Sequence, residues 1–523
     1  MNFKKLSWSC QPATLILIFS GYSACCNYIF LNKLSDAWFS IAGATAALFF
    51  VFIILYSVLL VRPAAKFLMS FFIVGNAAAF YFMKNYGIVI DEFTIHNLAA
   101  ASANEIRSFL NADFFFFLDV AGLIPVLLLC RTKIDTPPLR DEIKERIFLA
   151  AVSFLGLLWT GRHLLPVKEN PDILLSLLPT NYILSGMSFA DLAVNPFAPR
   201  KTDLEGTVNR YWKDNGRKNV FIIILGESAR AANFSLYGYK RDTNKALKPY
   251  IDDMLVFPPA QACGTQTLIS VPCLFSFHNR KDFMEKRAWR RVLYEGNVLD
   301  TLAHNGYHVL WRENDYGCFD VCNRITTEEF CGGGGCLDEV LQKDLSQRIS
   351  EINDNAVIIL HQGGSHTPYH KRYPSDFDIF RPSCADASAI SCKRQQKINS
   401  YDNSIIYTSH LMSRLFEDLK KLQNKYNVIV FYTSDHGESL GEDGIYLHAA
   451  PYETAPSYQK EVPFLVWIPE KTRRNMNYDR NCLRRKQKEN VSHDNFFHSL
   501  LGAAGIITKD YIPSLDIFSG CHK

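Results

Sequence analysis

Five apolar stretches in the first third of the chain, Pro12 to Leu31, Phe39 to Val61, Ala65 to Met83, Asp113 to Cys130 and Ile147 to Leu165, constrain its fold more than any other feature. Each is about the length a helix needs to cross a ~30 Å hydrocarbon core. The expectation is five membrane spans. The first does not read as a removable leader, because four more follow and no small-residue cleavage site stands after its apolar run. Lys4 and Lys5 precede span one, Arg62 and Lys66 separate spans two and three, and Arg131, Lys133, Arg140, Lys144 and Arg146 crowd between spans four and five. The alternate loops hold only Lys33, Lys84 and Arg107. By the positive-inside rule the amino terminus is cytoplasmic, and an odd number of spans places everything after Leu165 on the outer side. The remainder, roughly 350 residues, suffices for one large domain.

Cysteine placement agrees with that topology. Cys10, Cys25, Cys26 and Cys130 lie in or beside the spans, whereas Cys263, Cys273, Cys318, Cys322, Cys331, Cys336, Cys384, Cys392, Cys482 and Cys521 lie in the outer part. Short spacings such as Cys318 to Cys322, Cys331 to Cys336 and Cys384 to Cys392 suit small disulfide loops in an oxidising compartment. A structural zinc site built from Cys318, Cys322, Cys331 and Cys336 is the competing reading. The net charge of +4 is too slight to imply nucleic acid, and no basic run carries interleaved aromatics.

Two mixed segments are expected on the outer side, one between spans three and four and one between span five and the outer domain. Asn85 to Asn111 is too polar to cross and is expected to lie along the surface as a partly helical loop. Leu165 to Lys218 carries Pro166, Pro171, Pro179, Pro196 and Pro199 among aromatics and leucines, which reads as an interfacial linker. Either a plain tether or lipid contacts fit both segments. No internal repeat or low-complexity segment is present.

Beyond the linker, three β-branched runs end in hard ligands. Asn219-Val-Phe-Ile-Ile-Ile-Leu-Gly delivers Glu227, Ala356-Val-Ile-Ile-Leu delivers His361 and, five residues on, His366, and Val428-Ile-Val-Phe-Tyr-Thr-Ser delivers Asp435 and His436. In an open α/β sheet the chemistry collects past the carboxyl ends of the strands, and carboxylates with imidazoles form zinc sites. Tyr307 to Trp311 and Val462 to Ile468 are further strands, and Ile398 to Lys425 reads as a helix. Strands alternating with helices predict a mostly parallel sheet covered on both faces. The fold class is therefore a five-span helical membrane domain over residues 1–165, an interfacial linker over 166–218 and an α/β domain over 219–523.

A metal site needs a reaction, and Cys263-Gly-Thr-Gln-Thr-Leu-Ile-Ser-Val-Pro-Cys273 suggests one. A hydroxyl beside zinc loses its proton far more easily than in water, so a threonine there becomes a nucleophile near neutral pH. Thr265 and Thr267 are both candidates. Taken singly, each residue also fits an ordinary role: Glu227 as a helix cap, His448 as a surface histidine, Thr267 as a loop hydroxyl.

As a set the motifs are specific. Gly226-Glu-Ser-Ala-Arg-Ala-Ala-Asn-Phe-Ser-Leu-Tyr-Gly-Tyr239, the Cys-Gly-Thr-x-Thr segment, His361-Gln-Gly-Gly-Ser-His366, Ser434-Asp-His-Gly-Glu-Ser-Leu-Gly-Glu442 and Tyr446-Leu-His448 resemble those of the bacterial phosphoethanolamine transferases that modify lipid A, in the alkaline phosphatase and sulfatase superfamily. The resemblance covers essentially the whole chain. It implies an alkaline phosphatase-like outer domain in the periplasm, anchored in the inner membrane, with Thr267 as nucleophile and Glu227, Thr267, Asp435 and His436 on zinc. His366 and His448 match family histidines near the transferred phosphate or a second metal, while Glu438 and Glu442 have supporting roles. The implied disulfides are Cys263–Cys273, Cys318–Cys322, Cys331–Cys336, Cys384–Cys392 and Cys482–Cys521. The implied reaction passes phosphoethanolamine from phosphatidylethanolamine to lipid A through phosphothreonine, and a monomer is expected. The added ammonium would lower surface charge and reduce binding of cationic peptides such as polymyxin.

Departures fall on the head-group contacts. In related enzymes the loop after span three offers Asn, Thr and Glu at four-residue spacing; here Asn97 and Glu105 fit, but Ala101 stands between them, with Ser102 beside it. After Trp311-Arg-Glu-Asn314, where the family has a lysine, this chain has Phe319, and Tyr316 replaces a small polar residue. A sulfatase would need Cys or Ser in a Cys/Ser-x-Pro-x-Arg context, which Thr267-Leu-Ile-Ser-Val lacks. A glycerol phosphate transferase, a transferase with a core-sugar or glucan acceptor, and a membrane-anchored binding or sensing protein are the alternatives.

Overall fold

The computed structural model describes residues 9–28, 30–31, 38–61, 64–86, 89–92, 94–95, 98, 110–164, 177–194, 207–208, 216–285, 288–292, 294–314, 317–331, 336–385 and 392–523. Two compact units divide the chain, one running to Val194 and the other from Asn195 to Lys523.

The first unit is helical: α1 (Pro12–Cys26), α2 (Trp38–Leu59), α3 (Ala65–Tyr86), α4 (Ala112–Arg131), α5 (Leu139–Leu164) and α6 (Thr180–Val194). Four of these, α2 to α5, are long and apolar enough to cross a membrane. α1 is apolar but has 15 residues, about 22 Å at ~1.5 Å per residue, so the described helix is short of the expected first span. α5 begins at Leu139, eight residues before the expected start, because Leu139-Arg-Asp-Glu-Ile-Lys-Glu-Arg is a charged but continuous helical extension of the apolar run. Phe116, Leu127, Phe148, Leu155, Leu158 and Trp159 are all exposed. Such a surface is an aggregation liability in water and the appropriate one in hydrocarbon.

Part of the expected linker is folded. α6 belongs to the first unit, where Tyr182 donates to Asn76 Oδ1 at 3.1 Å and Ser188 to Glu92 Oε2 at 2.7 Å. Buried Asn27 fixes the chain just before α6, donating to the Leu178 carbonyl and accepting from the Leu178 N–H. Most of the surface loop expected over 85–111 lies outside the described residues.

The second unit is built on one seven-stranded sheet: β1 (Lys218–Gly226), β2 (Met254–Val256), β3 (Tyr307–Glu313), β4 (Thr326–Glu329), β5 (Asn355–His361), β6 (Tyr426–Ser434) and β7 (Phe464–Trp467), in the order β2-β7-β6-β1-β5-β3-β4. β6, β1, β5, β3 and β4 pair in parallel, and β7 runs antiparallel to both its neighbours. The central strands are continuous β-branched runs because both faces are covered. Along β1, Phe221, Ile223 and Leu225 join one core with α7 (Thr267–Phe275) and α9 (Asp494–Ala504), through Val271, Leu274, Phe496 and Leu500. Val220, Ile222 and Ile224 join the other with α8 (Arg394–Leu422), through Ile405, Met412, Leu415 and Leu419. Each such side chain contributes ~1.5–3 kcal/mol on full burial, enough to hold the strand ends in fixed register.

All five disulfides implied by the resemblance are present. Cys318, Cys322, Cys331 and Cys336 are therefore two cystines, and the alternative of a four-thiolate zinc site is overturned. The four remaining cysteines, all in the first unit, are free.

Candidate active site

Parallel pairing of Gly226 with Ser434 brings the ends of β1 and β6 level, so their next residues, Glu227 and Asp435, emerge side by side. The Asp435 N–H donates to the Gly226 carbonyl at 3.0 Å, extending the ladder one step. Glu227, Asp435 and His436 are completely buried, and one ligand atom from each lies within 4.8 Å of the others. His436 Nε2 is 3.1 Å from Asp435 Oδ2 and 3.5 Å from Glu227 Oε1. With Nδ1 donating to the Gly437 carbonyl at 2.9 Å, Nε2 of the neutral imidazole carries its lone pair toward those oxygens. Asp435 Oδ2 has no hydrogen-bond donor among the described residues.

Three acceptors thus converge where burial forbids water from compensating them. Ligand atoms of a tetrahedral zinc with bonds of ~2.0–2.1 Å sit about 3.3 Å apart, so the residues present fit a metal ion. Burial and then the Asp435 carboxylate push Glu227 up to about 7, and burial likewise raises Asp435. Burial, with His448 beside it, lowers His436 to about 4. Protons or a cation must offset the two carboxylates, and a metal does so while keeping His436 neutral.

Thr267 is the first residue of α7, and its Oγ1 donates to Glu227 Oε2 at 3.2 Å and lies 3.3 Å from His436 Nε2. The start of a helix also presents free N–H groups and a positive dipole end, favourable to a phosphate. Thr265 is turned away, donating to the Ala450 carbonyl at 2.7 Å. Geometry therefore separates the two candidate threonines. The Cys263–Cys273 bridge closes the loop that carries both threonines, and buried His493 braces it: its Nδ1 accepts the Cys263 N–H at 3.1 Å and its Nε2 donates to the Ser434 carbonyl at 3.0 Å.

His448 and His366 approach the same cluster. The His448 ring lies 4.3 Å from that of His436 and 5.7 Å from that of His366. Burial alone would lower His448, but Glu438, 2.8 Å from its Nδ1, reverses the sign and raises it to about 9. Burial and then Arg372 hold His366 well below its ordinary value. Glu438 thus favours the charged form of His448, while burial and Arg372 favour the neutral form of His366.

His361 stands at the sheet edge where its strand run places it, level with Leu225 and near enough to Asp435 to favour its charged form, but its Nδ1 faces Glu313. It ends β5 completely buried, with Nδ1 2.9 Å from Glu313 Oε2, and is not among the three clustered ligands. Asn97, Ala101, Ser102, Glu105 and Tyr316 lie outside the described residues. Phe319 is half-buried against the apolar core, at φ 49°, where it offers no charge to a head group.

Several supporting residues escaped sequence reasoning. Gly364, at φ 51°, passes so close to the Glu227 backbone that a Cβ would meet its nitrogen at 2.6 Å. Buried Asp338 holds this turn by accepting the Gly363 and Gly364 N–H groups at 2.8 and 2.9 Å. Ser228, left-handed at φ 57°, donates its hydroxyl to Glu227 Oε1 at 2.7 Å and its N–H to Asp435 Oδ1 at 3.0 Å. Glu438, by contrast, was expected in a supporting role: it positions His448 and is itself held by the Tyr369 hydroxyl at 2.6 Å. Asp338 and His493 lie far in sequence from every motif, so no local signal marks them; a serine between a strand-end Glu and a helix-like run was the available hint for Ser228.

Comparison with known proteins gives concordant results. The family profile described as phosphoethanolamine transferase EptA/EptB matches residues 48–193, and that described as sulfatase matches residues 219–506. Phosphoethanolamine transferase EptA of Escherichia coli (strain K12) is 35% identical over 483 residues, 88% of this chain and 86% of the relative. Phosphatidylethanolamine transferase Mcr-1 of Escherichia coli is 30% identical over 497 residues, covering 89% and 91%. The integral membrane lipooligosaccharide phosphoethanolamine transferase A of Neisseria meningitidis superposes with a TM-score of 0.88 at 29% identity, over 99% of this chain and 100% of that one.

Proposed function

Since the chain belongs to the phosphoethanolamine transferase family, with an outer domain of the sulfatase fold, we propose that it moves phosphoethanolamine from phosphatidylethanolamine to the phosphates of lipid A by way of a phosphothreonine at Thr267. The observation that carries this is the hydroxyl of Thr267 at the start of α7, within 3.3 Å of both Glu227 and His436.

Glu227, Asp435, His436 and Thr267 Oγ1 would hold a zinc ion, for which two carboxylates, an imidazole and a hydroxyl are a suitable donor set. When bound, zinc supplies Lewis acidity that eases deprotonation of the threonine and offsets charge on the phosphoryl group. Thr267 Oγ1 attacks phosphorus in line; the bond to the diacylglycerol oxygen breaks, and that oxygen takes up a proton. A lipid A phosphate oxygen then attacks the phosphothreonine, the Oγ1–P bond breaks, and Thr267 recovers its proton. His448, charged through Glu438, pairs with the equatorial phosphoryl oxygens, where phosphoryl transfer gains most from electrostatic stabilisation. His366, neutral, carries protons between leaving and attacking oxygens. Asn97 and Glu105 receive the ethanolamine end of the donor.

Residues 1–165 make up the five-span anchor in the bacterial inner membrane, 166–218 the interfacial segment and 219–523 the periplasmic catalytic domain of a monomer. Anchoring confines the enzyme and two amphiphilic substrates to one surface and raises their effective concentration.

Mass spectrometry of lipid A from a Gram-negative host lacking such enzymes tests the reading. A phosphoethanolamine adduct with the wild type and none with Thr267→Ala is the expected result. No adduct from a well-folded, metal-loaded wild type would overturn lipid A as the acceptor.

A further inference from the structure

The first unit carries a cavity of about 360 Å³ unrelated to the strand-end site. Leu15 and Ile16 of α1, Leu60 after α2 and Met69 of α3 form its apolar floor, and Lys66, Lys133, Arg146 and Glu142 its polar wall. Pairing of Ser9–Cys10 with Lys133–Ile134 ties the segment before α1 to the connection between α4 and α5, which brings Lys133 to the cavity.

The four charged residues of the wall are not equivalent. Arg146 donates to Glu142 Oε1 at 2.8 and 3.1 Å and to the Ser57 and Leu60 carbonyls at 2.8 and 2.7 Å, so it neutralises Glu142 and satisfies carbonyls at the end of α2. Among the described residues Lys66 reaches only a backbone carbonyl, that of Cys130, at 3.1 Å. Neither Lys66 nor exposed Lys133 has an ion-pair partner among the described residues. Nearby acids are otherwise engaged: Asp135 accepts the Ser9 hydroxyl at 3.3 Å and Asp141 lies 3.8 Å from Lys144. Three cations against one carboxylate leave the lining at +2.

We propose that this cavity binds one anionic glycerophospholipid, its phosphodiester held by Lys66 and Lys133 and an acyl chain lying on the floor of Leu15, Ile16, Leu60 and Met69. A basic pocket between transmembrane helices is complementary to an acidic head group, and the apolar floor distinguishes a lipid from free phosphate. The site lies in the cytoplasmic leaflet, a placement that rests on the orientation given under Proposed function; the binding itself does not.

Native mass spectrometry of the delipidated full-length protein, titrated separately with phosphatidylglycerol, cardiolipin, phosphatidylethanolamine and inorganic phosphate, tests it. The expected result is retention of one anionic lipid in preference to phosphatidylethanolamine, and about thirtyfold weaker retention in Lys66→Gln/Lys133→Gln, as removal of two surface cations at ~1 kcal/mol each predicts. Lys133→Gln alone, at an exposed position, should give a smaller loss with no change in fold. Equal retention of anionic and zwitterionic lipid, equal retention by both variants and wild type, or full displacement by inorganic phosphate would overturn the proposal. Labelling of Lys133 by an impermeant amine reagent in intact spheroplasts would overturn the leaflet and leave the site standing.

Discussion

Two of the buried carboxylate centres in the second unit differ in one respect. Around Asp402, Asn233 donates at 2.6 Å, Tyr239 at 2.8 Å and Arg241 at 2.7 Å, so the charge is answered by fixed protein donors. Around Glu227 and Asp435 the donors are neutral, the Ser228 hydroxyl and N–H, the His436 N–H and the Thr267 hydroxyl; among the described residues no Lys or Arg pairs with either carboxylate, and Asp435 Oδ2 has no donor. Both centres are equally dry. The difference teaches that burial of acids does not mark a site; failure of the protein to supply their counter-charge does, because that deficit is what an external cation can meet.

Substitutions in the two centres should behave in opposite ways. Thr267→Ala, which removes the hydroxyl served by the unanswered centre, should abolish transfer by more than ~1,000-fold while leaving the melting temperature near that of wild type. Substantial residual turnover would place the nucleophile elsewhere. Glu227→Gln should lose bound zinc, measured by elemental analysis of the full-length protein, with metal affinity reduced at least ~100-fold as a ligand is weakened. Asp402→Ala should do the reverse, costing about 3 kcal/mol of stability by leaving Arg241 and Asn233 unanswered while retaining stoichiometric zinc. Loss of zinc there would erase the distinction between the centres.

Asp516 is an intermediate case and gives the smallest effect. It accepts from Tyr511 at 2.7 Å and from the Phe518 N–H at 2.8 Å but has no cation in contact, and burial raises it to about 7 from an ordinary value of 3.8. The folded state therefore holds this proton more tightly than the unfolded chain does. The resulting stabilisation is complete below the unfolded value and is lost as pH rises from about 4 toward 7. Melting curves across that range should fall more steeply for wild type than for Asp516→Asn; parallel curves would show that Asp516 titrates normally.

Much of the candidate site was legible in the primary structure because its clustered residues follow directly on strands whose apolar runs announce themselves. Glu227, Asp435 and His436 each occupy the first or second place after a strand built on Val, Ile and Phe, and strand ends in parallel sheets are where polar groups converge. His361 looked equivalent by the same rule. Its position in register with Leu225, one step before the end of β1, and the presence of Glu313 on the neighbouring strand give its Nδ1 a buried hydrogen bond to Glu313 instead. The choice between Thr265 and Thr267 was likewise beyond local pattern, since it depends on which hydroxyl meets the Ala450 carbonyl across the fold.

Composition and periodicity thus established the helical membrane part, the mostly parallel sheet and the kinds of ligand at its edge, since helix crossing of a bilayer and strand burial leave repeating signatures along the chain. Register, side-chain direction and the supply of counter-charge arose from contacts between residues 40 to more than 200 positions apart, such as Thr267 with Glu227 and Ser228 with Asp435. Such contacts exist only once the β1 and β6 ends are level, because hydrogen bonds and metal–ligand distances are satisfied within a few tenths of an ångström and no linear spacing encodes them.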